Sequence, residues 1–151
     1  MMATVLPDPA LLAHLRVAAT PASLRMIRRV VREAALLAGA PEPWADDLML
    51  AVDEACQNVV RHAYAGLPGD LCITLSRTPD GDGVAVEILD FAPTVDPSRV
   101  RGRDLDDVRP GGLGVHLIEA LCEEAGFAAA PEGAGNLFRM VKRFANAAPQ
   151  R

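Results

Sequence analysis

Residues 51–64 read A-V-D-E-A-C-Q-N-V-V-R-H-A-Y and place a carboxylate, Glu54, four positions before a carboxamide, Asn58. On a helix that spacing stacks the two on one face, with Arg61 close by. At about 100° per residue the pair points roughly a third of a turn away from the apolar row of Leu48, Val52 and Val59, where a core ends and a cleft can begin. An oxygen donor beside a carboxylate suits Mg²⁺, a hard cation that shares its oxygen ligands with phosphate. The competing reading is an ordinary solvated polar pair, which is common on helices.

Asp90 ends the run V-A-V-E-I-L-D and has the parity of Val84, Val86 and Ile88, so its carboxylate points to the same side as the core. A carboxylate on that side needs a hydrogen-bond partner, and the exocyclic amine of adenine would be one. The plain alternative is an aspartate that starts a turn. Gly111-Gly112-Leu113-Gly114 opens a helix. Glycines admit close approach of a ligand to the backbone, and helix N-terminal amides attract phosphate. Arg103 and Arg109, in the stretch before it, would add charge-assisted contacts to phosphate oxygens. No G-K-[ST] follows, so this is not a Walker A loop.

The elements that must carry these residues can be read from periodicity. Residues 11–18 suit a strand, although a helical turn fits the same pattern. Thr20-Pro21 is an N-cap followed by proline at the first helical position, and Gly39 closes a helix of about 18 residues with Leu24, Ile27, Val31, Ala34 and Ala35 on one stripe. A second helix follows Pro43 and runs to Gly66. Leu71, Ile73 and Leu75, then Val84, Val86 and Ile88, alternate as two strands joined by the turn at 79–83. Residues 91–112 are polar, and about 20 residues without obvious structure suggest a functional lid. A third helix starts near Gly112 with Leu117, Ile118, Leu121 and Cys122 on one face, and strands around 126–130 and 136–144 finish the chain. The order β-α-α-β-β-α-β-β predicts an α+β, two-layer α/β sandwich, its helices on one face of a mixed, mainly antiparallel sheet. One domain is expected over residues 10–144, with flexible ends at 1–9 and 145–151.

Composition narrows the classes. A net charge of −5 argues against a general nucleic-acid binder. Cys56, Cys72 and Cys122 show no metal spacing and read as buried thiols in a reducing compartment. No apolar run reaches the roughly 18 residues of a membrane span, so a cytoplasmic protein is expected.

An E-x-x-x-N helix, an aspartate at a strand end and a lid closing in G-x-G at a helix start occur here in that order. Together they resemble the ATP-binding boxes of the GHKL superfamily of gyrase, histidine kinase and MutL ATPases, whose fold is the Bergerat ATP-binding fold. Within it the chain is similar to the anti-sigma factor serine kinases, the RsbW/SpoIIAB-like branch. The matching stretches are D-E-A-C-Q-N-V-V-R-H-A-Y, D-F-A-P-T-V-D-P at 90–97, P-G-G-L-G-V-H-L-I at 110–118 and G-N-L-F-R-M at 135–140.

The resemblance implies a protein serine/threonine kinase that uses ATP and Mg²⁺. Glu54 is then the catalytic base, Asn58 the Mg²⁺ ligand and Asp90 the acceptor of the adenine amine. Ala92, Arg109, Gly112, Leu113, Gly114 and Asn136 complete the nucleotide-binding set. The implied substrate is a serine on a STAS-domain anti-anti-sigma factor. The implied second partner is a sigma factor, and a homodimer is expected. Where the family pattern has glycine, this chain has Ala92. A left-handed backbone there would cost alanine about 1 kcal/mol, and Pro93 biases Ala92 toward an extended conformation. That departure supports a rival reading, a GHKL-fold binding module that sequesters a partner without catalysis. A detached histidine-kinase ATP-binding domain ranks last. His62 and Tyr64 also match the pattern, and His62 is assigned a packed, hydrogen-bonded role. Arg25, Arg28, Arg29 and Arg32 form a basic stripe, either solvated or used in docking.

Overall fold

Alternation in the first strand resolves the ambiguity at residues 11–18: Leu11–Ala18 is a β-strand, β1, with Leu15 and Val17 turned inward and His14 and Arg16 outward. The computed structural model describes residues 10–93 and 112–144. The termini expected to be flexible, Arg103, Arg109 and most of the expected lid lie outside the described residues. After β1 come helices α1 (Pro21–Leu37) and α2 (Glu42–Asn58), strands β2 (Asp70–Arg77) and β3 (Gly83–Asp90), helix α3 (Gly112–Leu121), and strands β4 (Glu124–Ala128) and β5 (Asn136–Arg143).

The strands form one sheet in the order β1-β2-β3-β5-β4, and every described ladder is antiparallel. The predicted α+β sandwich is the fold, although no parallel pair of the kind a mixed sheet contains occurs among the described strands. Inward residues of the three central strands, Leu71, Ile73, Leu75, Val84, Val86, Ile88 and Met140, are almost fully buried. They share one apolar cluster with Ile27 and Val31 of α1, Leu48 and Val52 of α2, and Ile118 of α3. With few aromatic residues, close packing of aliphatic side chains supplies the hydrophobic stabilisation.

Thr20 stands at the N-cap of α1 in extended conformation, but its hydroxyl lies 3.2 Å from that of Ser23 instead of capping an amide. Gly39, at φ +97°, ends the segment as predicted, since a left-handed residue there favours glycine. Helix α2 changes character past Asn58: Val59–Ala63 is a π-helical turn, after which Ala65 (φ +51°) and Gly66 (φ +82°) reverse the chain. A π-turn holds an extra residue, so side chains beyond it leave the face that α-helical spacing assigns them.

Candidate functional site

Asn58 is the last residue of α2, and its side-chain oxygen Oδ1 is buried with no hydrogen-bond partner among the described residues. Leaving a buried acceptor unpaired costs about 1–3 kcal/mol. The half-buried Glu54, one α-helical turn earlier, has a carboxylate with no hydrogen-bond or ion-pair partner among the described residues. A cation-coordinating oxygen must have a free lone pair, and this donor set fits Mg²⁺. Among the described residues no cluster of His, Cys, Asp or Glu could hold a metal ion alone. A cation at Asn58 would therefore draw most of its ligands from phosphate and water.

Asp90 closes β3 and is buried, on the same side as Val84, Val86 and Ile88. Its Oδ1 accepts hydrogen bonds from the Ala92 amide and from Asn136 Nδ2, both at 3.0 Å. Asn136 is the β5 residue paired with Asp90 across the ladder, and its Nδ2 also donates to the Pro93 carbonyl at 3.2 Å. One carboxylate oxygen is thus fixed by the protein, and Oδ2 makes no hydrogen bond among the described residues. Ala92 is buried and is not among the left-handed residues, so the strain that an alanine would carry there does not arise. The loop is accommodated from the other side: a Cβ on Gly135 would fall 1.9 Å from the Ala92 carbonyl oxygen, so only glycine fits opposite it.

The backbone of α3 begins at Gly112, with Leu113 and Gly114 in its first turn. Two expectations about α2 and its continuation are corrected. Arg61 is not grouped with Glu54 and Asn58; its Nη2 donates to Gln57 Oε1 at 2.7 Å. Gln57 Nε2 donates to Asp53 Oδ2 at 2.7 Å, and Arg28 of α1 meets Asp53 Oδ1 at 3.0 Å. The helical step of four carries Arg61 back to Gln57, onto the neighbouring row. His62 is exposed and makes no hydrogen bond among the described residues, because the π-helical turn rotates it off the packed face.

The basic stripe is also partly committed. Arg28 pairs with Asp53, and Arg32 pairs with Asp46 at 2.9 Å and Glu42 at 3.2 Å. All three cysteines are free and buried. Burial pushes the Cys122 thiol up to about 11, and the Cys56 thiol well above its ordinary range. Both remain protonated at neutral pH, which suits packing and not nucleophilic chemistry.

Sequence reading gave no role to Tyr64, which the structure places between two strands. Its hydroxyl donates to the Asp70 carbonyl at 2.5 Å and accepts the Phe91 amide at 2.8 Å. Burial pushes the phenol's pKa above its ordinary value and keeps the hydroxyl protonated. The signal available in sequence was its position as the chain's single tyrosine, directly before the Ala65-Gly66 reversal.

The sequence profile of the histidine kinase-like ATPase domain matches residues 17–142. With that match covering most of its length, the chain belongs to the histidine kinase-like ATPase family. Its similarities within the family fall on the RsbW-like branch of the GHKL proteins. It is 27% identical to the serine-protein kinase RsbW of Bacillus pumilus, over 75% of each chain. It is 29% identical to the RsbW of Staphylococcus aureus, over 74% of this chain and 75% of that one. The serine/threonine-protein kinase BtrW of Bordetella bronchiseptica is 37% identical over 47% of this chain, which spans about half (52%) of BtrW. The crystal structure of the RsbU and RsbW domains of Rv1364c from Mycobacterium tuberculosis superposes with a TM-score of 0.58 at 23% identity, over 91% of this chain and 32% of that one. That likeness establishes the fold. Among the described residues no helix is long and apolar enough to cross a membrane.

Proposed function

We propose that the chain is an ATP-dependent protein serine kinase that doubles as an anti-sigma factor in a partner-switching pathway. The observation that carries this reading is the buried Oδ1 of Asn58, one turn from Glu54, both without a partner among the described residues. A folded protein tolerates such an atom where a ligand completes it. In this reading Asn58 holds Mg²⁺, which when bound neutralises charge on the ATP phosphates. Asp90 accepts the adenine amine on Oδ2, while Asn136 and the Ala92 amide hold Oδ1. In this reading the α3 N-terminus at Gly112, Leu113 and Gly114 takes the phosphates, and by the family resemblance Arg109 assists.

Glu54 takes the proton of a serine hydroxyl on the substrate. The serine oxygen then bonds to the γ-phosphorus, the bond from that phosphorus to the β–γ bridging oxygen breaks, and ADP leaves with that electron pair. Phosphoryl transfer rests mostly on positioning and charge stabilisation, so this small set suffices. The proposed substrate is a STAS-domain anti-anti-sigma factor and the second partner a sigma factor, by similarity to the RsbW kinases. A cytoplasmic homodimer is part of the same reading. Its non-catalytic rival drew on strain at Ala92, and the backbone there is not left-handed.

Thermal melting with and without Mg-ATP, followed by γ-phosphate transfer to a STAS protein, tests the proposal. Ligand at about 100 times its Kd adds about 2.7 kcal/mol and raises the melting temperature. Asn58→Ala removes the Mg²⁺-dependent part of that shift, whereas Glu54→Ala keeps the shift and loses transfer. A wild-type chain that gives no shift at millimolar Mg-ATP refutes the nucleotide reading.

A further inference from the structure

Tyr64 belongs to a closed ring of contacts around the end of β3. Its hydroxyl joins the Asp70 carbonyl to the Phe91 amide. The Asp70 carboxylate holds Arg16 of β1 at 2.8 Å, and the Arg16 guanidinium lies 4.7 Å from the centre of the Phe91 ring. The ring therefore closes from Tyr64 through Asp70, Arg16 and Phe91 back to Tyr64. Its outer arm is weak, since the Arg16 and Asp70 side chains are 58% and 46% exposed and solvent screens the pair. The phenol is the inner member, with both of its hydrogen bonds to backbone.

That placement has a consequence for Asp90. Phe91 is the next residue, so the hydrogen bond from its amide fixes the peptide that carries the Asp90 carbonyl and limits how the strand end can swing. Asp90 Oδ1 is already committed, so the direction of Oδ2 depends on that strand end. The chain also reaches Tyr64 through a special backbone: a π-helical turn before it, and a left-handed alanine, Ala65, after it. Strained conformations of this sort persist where the surroundings over-determine them. Gly69 leaves room for the phenol ring, since a Cβ there would lie within 2.1 Å of Tyr64 Cε1.

We infer that Tyr64 is a positioning residue that locks the Asp90 strand end to the N-terminal end of β2, and thereby sets a preference for a purine carrying an amino group at position 6. The inference rests on the nucleotide reading above and adds a determinant of base specificity. Asp90 accepts from a 6-amino group but repels the 6-carbonyl of hypoxanthine, and a site built around one hydrogen bond discriminates only while its acceptor is aimed.

The test measures Kd for Mg-ATP and Mg-ITP by calorimetry on the full chain, in wild type, Tyr64→Phe and Gly69→Ala. Wild type is expected to prefer ATP. In Tyr64→Phe the ATP-over-ITP preference falls by about five-fold or more, while Mg-ITP binding changes by less than about two-fold. Hydrogen exchange at the Phe91 amide speeds up in the same variant. Gly69→Ala displaces the ring but keeps the hydroxyl, and gives the same loss of preference if Tyr64→Phe does not fold. Equal weakening of both nucleotides marks a merely structural tyrosine and overturns the inference, as does an unchanged preference. A wild type that binds neither nucleotide overturns the nucleotide reading and this inference with it. A wild type that binds ATP beside an unaltered Tyr64→Phe overturns this inference alone.

Discussion

The β3–β5 ladder has two ends that treat their polar groups in opposite ways. At the end where Gly83 pairs with Arg143, nearly everything is spoken for. Arg143 meets Glu124 at 2.6 Å and Asp82 at 3.3 Å, its amide donates to Glu123, and its carbonyl accepts Trp44 Nε1 at 2.9 Å. Lys142 donates to the Leu121 carbonyl at 2.8 Å. At the end where Asp90 pairs with Asn136, one carboxylate oxygen is fixed and the other has no partner among the described residues, nor among them do Asn58 Oδ1 and Glu54 on α2. A cleft of about 540 Å³ lined by Trp44, Lys142 and Phe144 sits at the saturated end. The proposed functional end is thus picked out by its unsatisfied polar groups and not by that cleft.

Three substitutions can break or sharpen this contrast. The largest effect is expected from Trp44→Ala, which removes a buried indole packed on Phe144 and costs about 3–5 kcal/mol in urea unfolding. If Mg-ATP affinity falls as steeply as stability, the two ends are not separable. Next comes Asp90→Asn. The amide oxygen can still accept from Ala92 and Asn136, but Nδ2 replaces the acceptor Oδ2 with a donor. Mg-ATP binding should weaken about 100-fold, or about 2.8 kcal/mol at 1.4 kcal/mol per tenfold, while the urea midpoint stays near wild type. Loss of stability without loss of affinity would place Asp90 in the scaffold. The smallest effect belongs to Arg143→Ala, since its ion pairs are solvent-exposed. The urea midpoint should move within replicate error at high salt, and a large drop would show that the saturated end depends on charge.

Much of the fold was legible because it is written in local periods. The alternation of Leu71, Ile73 and Leu75 with Cys72 and Thr74 required a strand, and the stripe from Leu24 to Ala35 required a helix. Element ends drifted where no special residue marks them: β4 spans Glu124–Ala128, about two residues before its expected place. The strand order, and the pairing of Asp90 with Asn136, join residues far apart in sequence and have no local signature. The turn at Val59–Ala63 was read as plain helix because Val59 and Ala63 continue the apolar spacing. The contacts that follow that turn, from Tyr64 to Asp70 and Phe91, are tertiary and have no local signature either. The same lack of local signal explains Arg61 and His62, whose surroundings depend on winding and reach. Ala92 looked strained only while its backbone was taken from a glycine pattern.

The chain contains a single tryptophan and a single tyrosine, and they sit at opposite ends of this contrast. Trp44 packs against Phe144 with ring centroids 4.8 Å apart and lies beneath the Lys142 ammonium, while Tyr64 touches the residue next to Asp90. Selective excitation of the indole thus gives an emission signal from the scaffold end, and ultraviolet difference absorption of the phenol gives one from the proposed nucleotide end. The protein carries two native chromophores, one for each half of its behaviour, and needs no added label to watch them separately.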